Sequence, residues 1–152
     1  MIPKKKKSEL MSARVKKAKK DLEIISHTFI RKRDSVHPDL IGGYCFDCGT
    51  YAEGQHFQAG HFETSGGHGA ILRYHPHNMH GQASGCNMKQ RQEVVKINYT
   101  LKMLERYGME RLEKLRQLKN KSVKADIIWY EKMIELYEAG DEKAIVEFLE
   151  AV

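Results

Sequence analysis

The side chains most capable of chemistry in this 152-residue chain are concentrated between residues 45 and 91. This stretch contains all three cysteines of the chain and six of its eight histidines. The cysteines are Cys45, Cys48 and Cys86, and the histidines are His56, His61, His68, His75, His77 and His80. Thiolates and imidazoles are the ligands that zinc prefers in proteins. The sequence therefore predicts a metal site in this third of the chain.

Cys45 and Cys48 form a CxxC pair that is followed directly by Gly49. Two intervening residues allow one turn to direct both sulfur atoms at a single ion, and the glycine lets the backbone reverse direction. A lone CxxC pair is only moderately specific, so free thiols are the alternative interpretation. Three cysteines in an intracellular chain nevertheless favour ligands over a disulfide framework.

The elements that must position these residues are predicted from local patterns. Residues 55–62 alternate weakly and predict a strand, residues 65–69 predict a turn, and residues 70–74 predict the returning strand. A helix is predicted to begin near Cys86 or Asn87 and to continue to Gly108. Strand, turn, strand and helix in this order is the layout of a ββα-metal nuclease site.

Hydrolysis of a phosphodiester needs a base that activates water and a cation that offsets charge on the phosphate. His61 is the candidate base because a neutral imidazole accepts a proton, and an exposed strand histidine without a catalytic role is the alternative. Asn87 offers an amide oxygen suited to Mg²⁺, and a simple helix cap is the alternative. Asn78 can tie the turn before the helix to the backbone opposite and so hold His61 in place.

Charge is distributed unevenly along the chain. Residues 1–34 contain twelve Lys/Arg and four Asp/Glu, a net charge of +8, whereas residues 121–152 contain four and eight, a net charge of −4. A basic segment of this kind favours a polyanionic partner, and a solvated helix face or a localisation tag is the alternative. Candidate DNA-binding residues are Lys16, Lys17, Lys20, Arg31, Arg33, Arg73, Lys89 and Arg91.

The remaining pattern predicts an α+β protein in one compact domain with three parts. Residues 1–34 are expected to form a disordered basic tail over 1–7 and then a helix, residues 35–108 a zinc-knuckle core, and residues 109–152 a helical region. The helical region should contain helices at 109–118, 126–137 and 144–149. No apolar run approaches a membrane span and the basic N-terminus lacks an apolar segment, so a cytoplasmic location is expected.

At the candidate site residues the chain resembles the phage NinG/Rap recombination endonucleases, a branch of the HNH superfamily. The resemblance extends in order over roughly residues 20–120. The matching stretches are 29–34 (FIRKRD), 45–49 (CFDCG), 58–62 (QAGHF), 73–74 (RY), 78–82 (NMHGQ) and 86–87 (CN). The resemblance implies a ββα-metal core, cleavage of branched DNA including Holliday junctions, a catalytic Mg²⁺ (or Mn²⁺) and a structural zinc. The superfamily pattern falls on His61, Asn78 and Asn87, with Asn87 as the cation ligand.

Two positions depart from that family's pattern. Gly60 stands where an acidic residue often precedes the first histidine, so the cation would keep more waters. Ala83 stands where a second CxxC pair usually begins, which leaves three cysteines for a four-ligand zinc site. His80 is the best substitute and His77 the next, and a weakened or lost zinc is the alternative. The expected zinc ligands are Cys45, Cys48, Cys86 and His80.

Three functions are therefore compatible with the sequence. The first is a metal-dependent endonuclease that acts on branched DNA during phage recombination, in the host cytoplasm if a phage encodes it. The second is a zinc-dependent DNA-binding module without catalysis, and the third is an HNH nuclease of general or sequence-specific type. Because resolution of a four-way junction requires two cuts, a two-fold homodimer is a further expectation.

Overall fold

The computed structural model describes residues 1–63 and 69–152, and within them the chain has the predicted mixed α+β composition. The helices are α1 (Lys4–Arg33), α2 (Ala70–Arg73), α3 (Ser84–Met88), α4 (Glu93–Tyr107), α5 (Met109–Leu118), α6 (Ile127–Ala139) and α7 (Glu142–Glu150). The strands are β1 (Gly42–Tyr44), β2 (Tyr51–Glu53), β3 (Phe57–His61) and β4 (Met79–Ala83). Short 3-10 helices cover Gly54–His56 and Pro76–Asn78.

The long helix α1 packs against α6. Its buried side chains, among them Leu22, meet the apolar faces of α4 to α7 in one core that includes Tyr99 and Met133. The expected disordered tail at residues 1–7 is wrong, because α1 already begins at Lys4. Lysine is a good helix former and Pro3 suits a helix start, so the basic residues extend the helix by a turn.

The C-terminal helices follow the sequence pattern closely. Helix α5 has the predicted bounds, and α6 begins after Asp126, whose side chain accepts from the backbone N–H of Trp129. Gly140 ends α6 in the left-handed conformation, and the carboxylate of Asp141 caps α7 by accepting from Ala144 N–H. Among the described residues, no helix is both long enough and apolar enough to cross a membrane.

The central strand pair differs from the predicted hairpin. Strand β3 pairs antiparallel with β4 rather than with residues 70–74, and residues 70–73 form α2. The apolar pair Ile71 and Leu72 is buried in the helical core, so its hydrophobicity serves a helix instead of a strand. The predicted turn at 65–69 lies, apart from Gly69, outside the described residues.

The second difference concerns the helix after the strands. The predicted continuous helix from Cys86 to Gly108 is wrong, because α3 ends at Met88 and α4 begins at Glu93. The order β3, β4, α3 nevertheless places two strands and then a helix start together in space, and α3 contacts both strands. Helix α1 covers the opposite face of the strand pair, where Ile30 packs with Ala59 and Met79.

Candidate metal and catalytic site

Three cysteines meet at the end of the strand pair. Cys45 and Cys48 lie in the turn between β1 and β2, and Cys86 lies in α3. Their Sγ atoms are all within 4.8 Å of one another, so the cluster could hold a metal such as zinc. Gly49 closes the turn with a φ of +76°, donating its N–H to the carbonyl of Cys45 at 2.9 Å.

The thiols of the cluster respond to their surroundings in opposite ways. Burial raises the pKa of Cys45 to about 11 and also raises the pKa of Cys86, whose neighbour Cys48 adds to the effect. Burial alone would raise the pKa of Cys48, but its hydrogen bonds with Thr50, Cys86 and Cys45 together outweigh burial and lower that pKa. A bound cation reverses the local preference because a coordinating thiol is deprotonated. The three thiolates would supply three of the ligands of a bound zinc ion, and the fourth would come from outside the cluster, for example from a water molecule.

His80 does not join this cluster. Its register on β4, opposite Gly60, directs the ring toward α4, where it is fully buried. The Nδ1 atom lies 3.1 Å from the hydroxyl of Tyr99 and the Nε2 atom 2.6 Å from that of Tyr107. The ring stacks on Phe46 at 4.0 Å, and burial holds its pKa well below the usual value. Both ring nitrogens are thus used in the core, which corrects the expected Cys₃His ligand set.

His77, the second candidate for the fourth zinc ligand, is also engaged elsewhere. Its Nδ1 atom accepts from Arg111 Nε at 2.9 Å, and its Nε2 atom lies 3.2 Å from a carboxylate oxygen of Glu142. These contacts fasten the 3-10 helix before β4 to helices α5 and α7. They belong to a charged network that also includes His75, Glu150 and Arg33.

His61 is the last residue of β3, and its ring lies between α1 and the end of α2. Its Nε2 atom is 2.8 Å from the carbonyl oxygen of Arg73, and the ring meets His27 edge-on at 5.9 Å. Because a carbonyl only accepts, Nε2 carries the hydrogen and Nδ1 keeps its lone pair. Burial lowers the pKa of His61, so the neutral form predominates at pH 7.

Asn78 ties the two ends of the segment between the strands together. Its Nδ2 donates to the carbonyls of Leu72 at 2.9 Å and Glu63 at 3.1 Å, while its Oδ1 accepts from Glu63 N–H at 2.9 Å. The side chain is fully buried, which makes these bonds difficult to replace with water. They hold the backbone of Glu63, two residues after His61, and that of Leu72 in α2.

Asn87 lies in α3 against the other face of the strand pair. Its Nδ2 donates to Gln58 Oε1 at 2.9 Å, and its Oδ1 would be 3.1 Å from a Cβ atom placed on Gly60. Successive strand residues point to opposite faces. The structure therefore brings Asn87 to the face of Gln58 and Gly60, whereas His61 projects toward α1 from the next position.

The predicted DNA-binding residues divide into two groups. Five are exposed: Lys16, Lys17, Lys20, Lys89 and Arg91. Arg31 instead donates to the carbonyls of Phe57 and Gly54 at 2.7 and 2.6 Å. Arg33 donates to Asp34 and to two backbone carbonyls, so both guanidinium groups hold the protein itself together. Arg73 is half-buried and lies 3.8 Å from Glu23.

Sequence reasoning missed Gln58, which hydrogen-bonds Asn87, and the buried pair of Gln82 and Asp47. Gln58 and Gln82 are directly opposite on β3 and β4, and Gln82 donates to Asp47 Oδ1 at 2.9 Å. The sequence did contain a signal for this cluster, because Gln58 and Gln82 are long polar residues whose neighbours along the chain are apolar residues or glycine. Without the correct strand pairing, that signal could not be connected to the cysteine turn.

The fold and site define a mixed α+β protein with a cysteine cluster beside a strand pair that could hold a metal ion. The chain matches the family described as Bacteriophage Lambda NinG protein over residues 3–145. Because this match covers nearly the whole chain, the protein belongs to the NinG family, a recombination-related family of phage proteins. No curated protein and no solved structure matches the chain significantly.

Proposed function

We propose that this protein is a metal-dependent endonuclease that hydrolyses phosphodiester bonds in branched DNA. The observation that carries the proposal is the state of His61, a neutral imidazole with Nε2 fixed on the Arg73 carbonyl and Nδ1 left with its lone pair. A general base must be neutral, oriented and able to accept a proton from water. The order β3, β4, α3 around it is the order of a ββα-metal site, which supports the same reaction.

The cation would bind beside Gly60, the β3 residue that directly precedes His61. Asn87 offers Oδ1 beside Gly60, which precedes His61 directly. Because His61 projects from the opposite face of the strand pair, joint action of the two groups requires the phosphodiester to lie across the end of β3. When bound, Mg²⁺ or Mn²⁺ supplies charge stabilisation of the phosphate and the leaving oxygen. His61 orients and deprotonates the attacking water, and Asn78 keeps the backbone around it in place.

The basic residues supply the affinity for DNA. Lys16, Lys17 and Lys20 are exposed on α1, and Lys89 and Arg91 are exposed directly after α3. Lys17 also pairs with Asp21 at 2.6 Å, so its neighbours carry more of the free positive charge. Phosphate contacts of this kind position DNA without reading its sequence, which suits a substrate defined by shape. Two cuts across a four-way junction favour action as a two-fold dimer.

Cleavage of a labelled four-way junction and a linear duplex of the same sequence, with Mg²⁺ or with EDTA, tests the proposal. A junction-selective nuclease cuts the four-way substrate in Mg²⁺ and cuts neither substrate in EDTA. Equal cutting of both substrates would instead favour a general HNH-type nuclease. Binding without cutting in any divalent cation would overturn the enzyme and favour a zinc-dependent DNA-binding module, an alternative that the absence of a carboxylate at Gly60 supports.

A further inference from the structure

We propose that Gln82 is a second protein ligand of the divalent cation, acting with Asn87 in a cradle that Gly60 leaves open. This inference rests on the proposed function only for the presence of the cation. Its basis is the convergence of two amide oxygens on a glycine at the centre of the strand pair. The site would take a hard, oxygen-preferring ion such as Mg²⁺ or Mn²⁺.

The orientation of the Gln82 amide follows from its partner. The side chain is fully buried, and its Nε2 donates to Asp47 Oδ1 at 2.9 Å. An ionised carboxylate only accepts hydrogen bonds, so the amide nitrogen must face Asp47 and the oxygen must face Gly60. Among the described residues, Oε1 has no hydrogen-bond partner. A buried acceptor without a partner is unfavourable, which points to a missing ion or donor at this oxygen.

The orientation of the Asn87 amide is fixed in the same way. Gln58 donates through Nε2 to the carbonyl of Gln55 at 3.1 Å, so its Oε1 is the end that meets Asn87. Asn87 must therefore present Nδ2 to Gln58, and its Oδ1 turns toward Gly60. The hydrogen bonds thus orient both amides so that Gln82 Oε1 and Asn87 Oδ1 face Gly60.

Gly60 determines the space between these oxygens. A Cβ atom at this position would lie 1.6 Å from Gln82 Oε1 and 3.1 Å from Asn87 Oδ1. The two oxygens are therefore at most about 4.7 Å apart, the sum of those distances. Two oxygens bound to one Mg²⁺ at about 2.1 Å each are separated by no more than about 4.2 Å. Because neither oxygen can donate to the other, a shared cation satisfies both with little movement.

Gln82 Oε1 occupies the place that a side chain at position 60 would take. A side chain there would displace this end of Gln82, so the Gln82 amide stands where a carboxylate from position 60 would begin. Asp47 Oδ1 also accepts from the protonated Cys45 thiol at 2.9 Å, a bond that a zinc-bound thiolate would not make, so Asp47 lies between the cysteine turn and Gln82.

Binding of Mn²⁺ to the full-length protein, followed by electron paramagnetic resonance of the free ion, tests this assignment without any nuclease assay. The parent protein should bind Mn²⁺ competitively with Mg²⁺. Gln82→Met, similar in size but without the hard oxygen, should weaken Mn²⁺ binding by about ten-fold or more. Gln82→Glu combined with Asp47→Asn, which removes the carboxylate that would face the new one, should bind at least as tightly as the parent because it keeps an oxygen and adds charge. Gln117→Met, at an exposed position of α5, is the matched control and should bind like the parent.

Thermal melting without Mn²⁺ shows which variants are folded, and the Gln82→Glu, Asp47→Asn double variant keeps the test decisive should Gln82→Met not fold. Equal affinity of the parent and a folded Gln82→Met, weaker binding by the folded double variant, or no Mn²⁺ binding by the parent would each overturn the assignment. Junction cleavage by the parent separates the two proposals. If the parent cuts DNA with Mg²⁺ but Mn²⁺ binding does not depend on Gln82, only the assignment of Gln82 as a ligand is rejected. If Mn²⁺ binding depends on Gln82 but the parent cuts no DNA, only the nuclease function is rejected.

Discussion

Replacement of Asn78 by leucine should destabilise the protein strongly, because this side chain holds the segment between β3 and β4. Leucine has the same branched shape and is somewhat larger, so it leaves no cavity, but it removes three hydrogen bonds that are buried or partly buried. The carbonyl of Leu72 then loses its buried partner, while the partly exposed backbone of Glu63 can regain water. A buried polar group without a partner costs roughly 1–3 kcal/mol, so a total loss of about 2–4 kcal/mol is expected.

Urea unfolding followed by circular dichroism measures this loss, and Asn120→Leu is the matched control. Asn120 is exposed at the end of α5, so its replacement should change the free energy of unfolding by less than about 0.5 kcal/mol. The Asn78 variant should unfold at a lower urea concentration with a similar slope. A change as small as that of the control would refute the claim that Asn78 holds the backbone of Glu63 and Leu72.

Four further predictions follow from the site and its surroundings. Metal analysis should find about one zinc per chain, and Cys86→Ser should reduce the zinc content and lower the melting temperature, whereas full occupancy in that variant would exclude the cluster. Asn87→Ala should require far more Mg²⁺ for cleavage, and an unchanged Mg²⁺ titration would count against its role. Burial lowers the pKa of His80 and His75 in the folded protein, so as the pH falls these histidines take up protons in the unfolded chain before they do so in the folded one. The free energy of unfolding should therefore decrease as the pH drops below about 6.5. His80→Gln should make the melting temperature depend less on pH between pH 7.5 and 5. Removal of residues 1–7 should weaken DNA binding and reduce the dependence of the affinity on salt concentration. If the affinity of the truncated protein depends on salt as that of the parent does, the lysines of this segment do not contact phosphates.

The parts of the fold that were predictable are those with strong local signals. Helix α5 begins after Gly108 and α6 ends at Gly140, and both bounds could be anticipated from the glycines. The cysteine cluster was also predictable, because CxxC spacing acts within a single turn and Cys86 was identified as its distant partner. These features depend on a few neighbouring residues and little on the rest of the fold.

The strand pairing could not be predicted for a physical reason. Strand β4 is buried on both faces, so its residues do not alternate between polar and apolar, whereas Ile71 and Leu72 mimic a strand. The correct pairing sets Gly60 opposite His80 and turns the histidine into the core. The error in the zinc ligand therefore follows from the error in register, since sequence proximity to Cys86 does not determine which face His80 occupies.

Single-turnover cleavage of a four-way junction in Mg²⁺ by the parent, His61→Ala and His56→Ala tests the central claim most directly. His56 is an exposed histidine five residues before His61 and serves as the matched control. His61→Ala should cut roughly 10²–10⁴-fold more slowly while it binds the junction normally, and His56→Ala should cut like the parent. Cleavage by His61→Ala at the parental rate would contradict the assignment of His61 as the base.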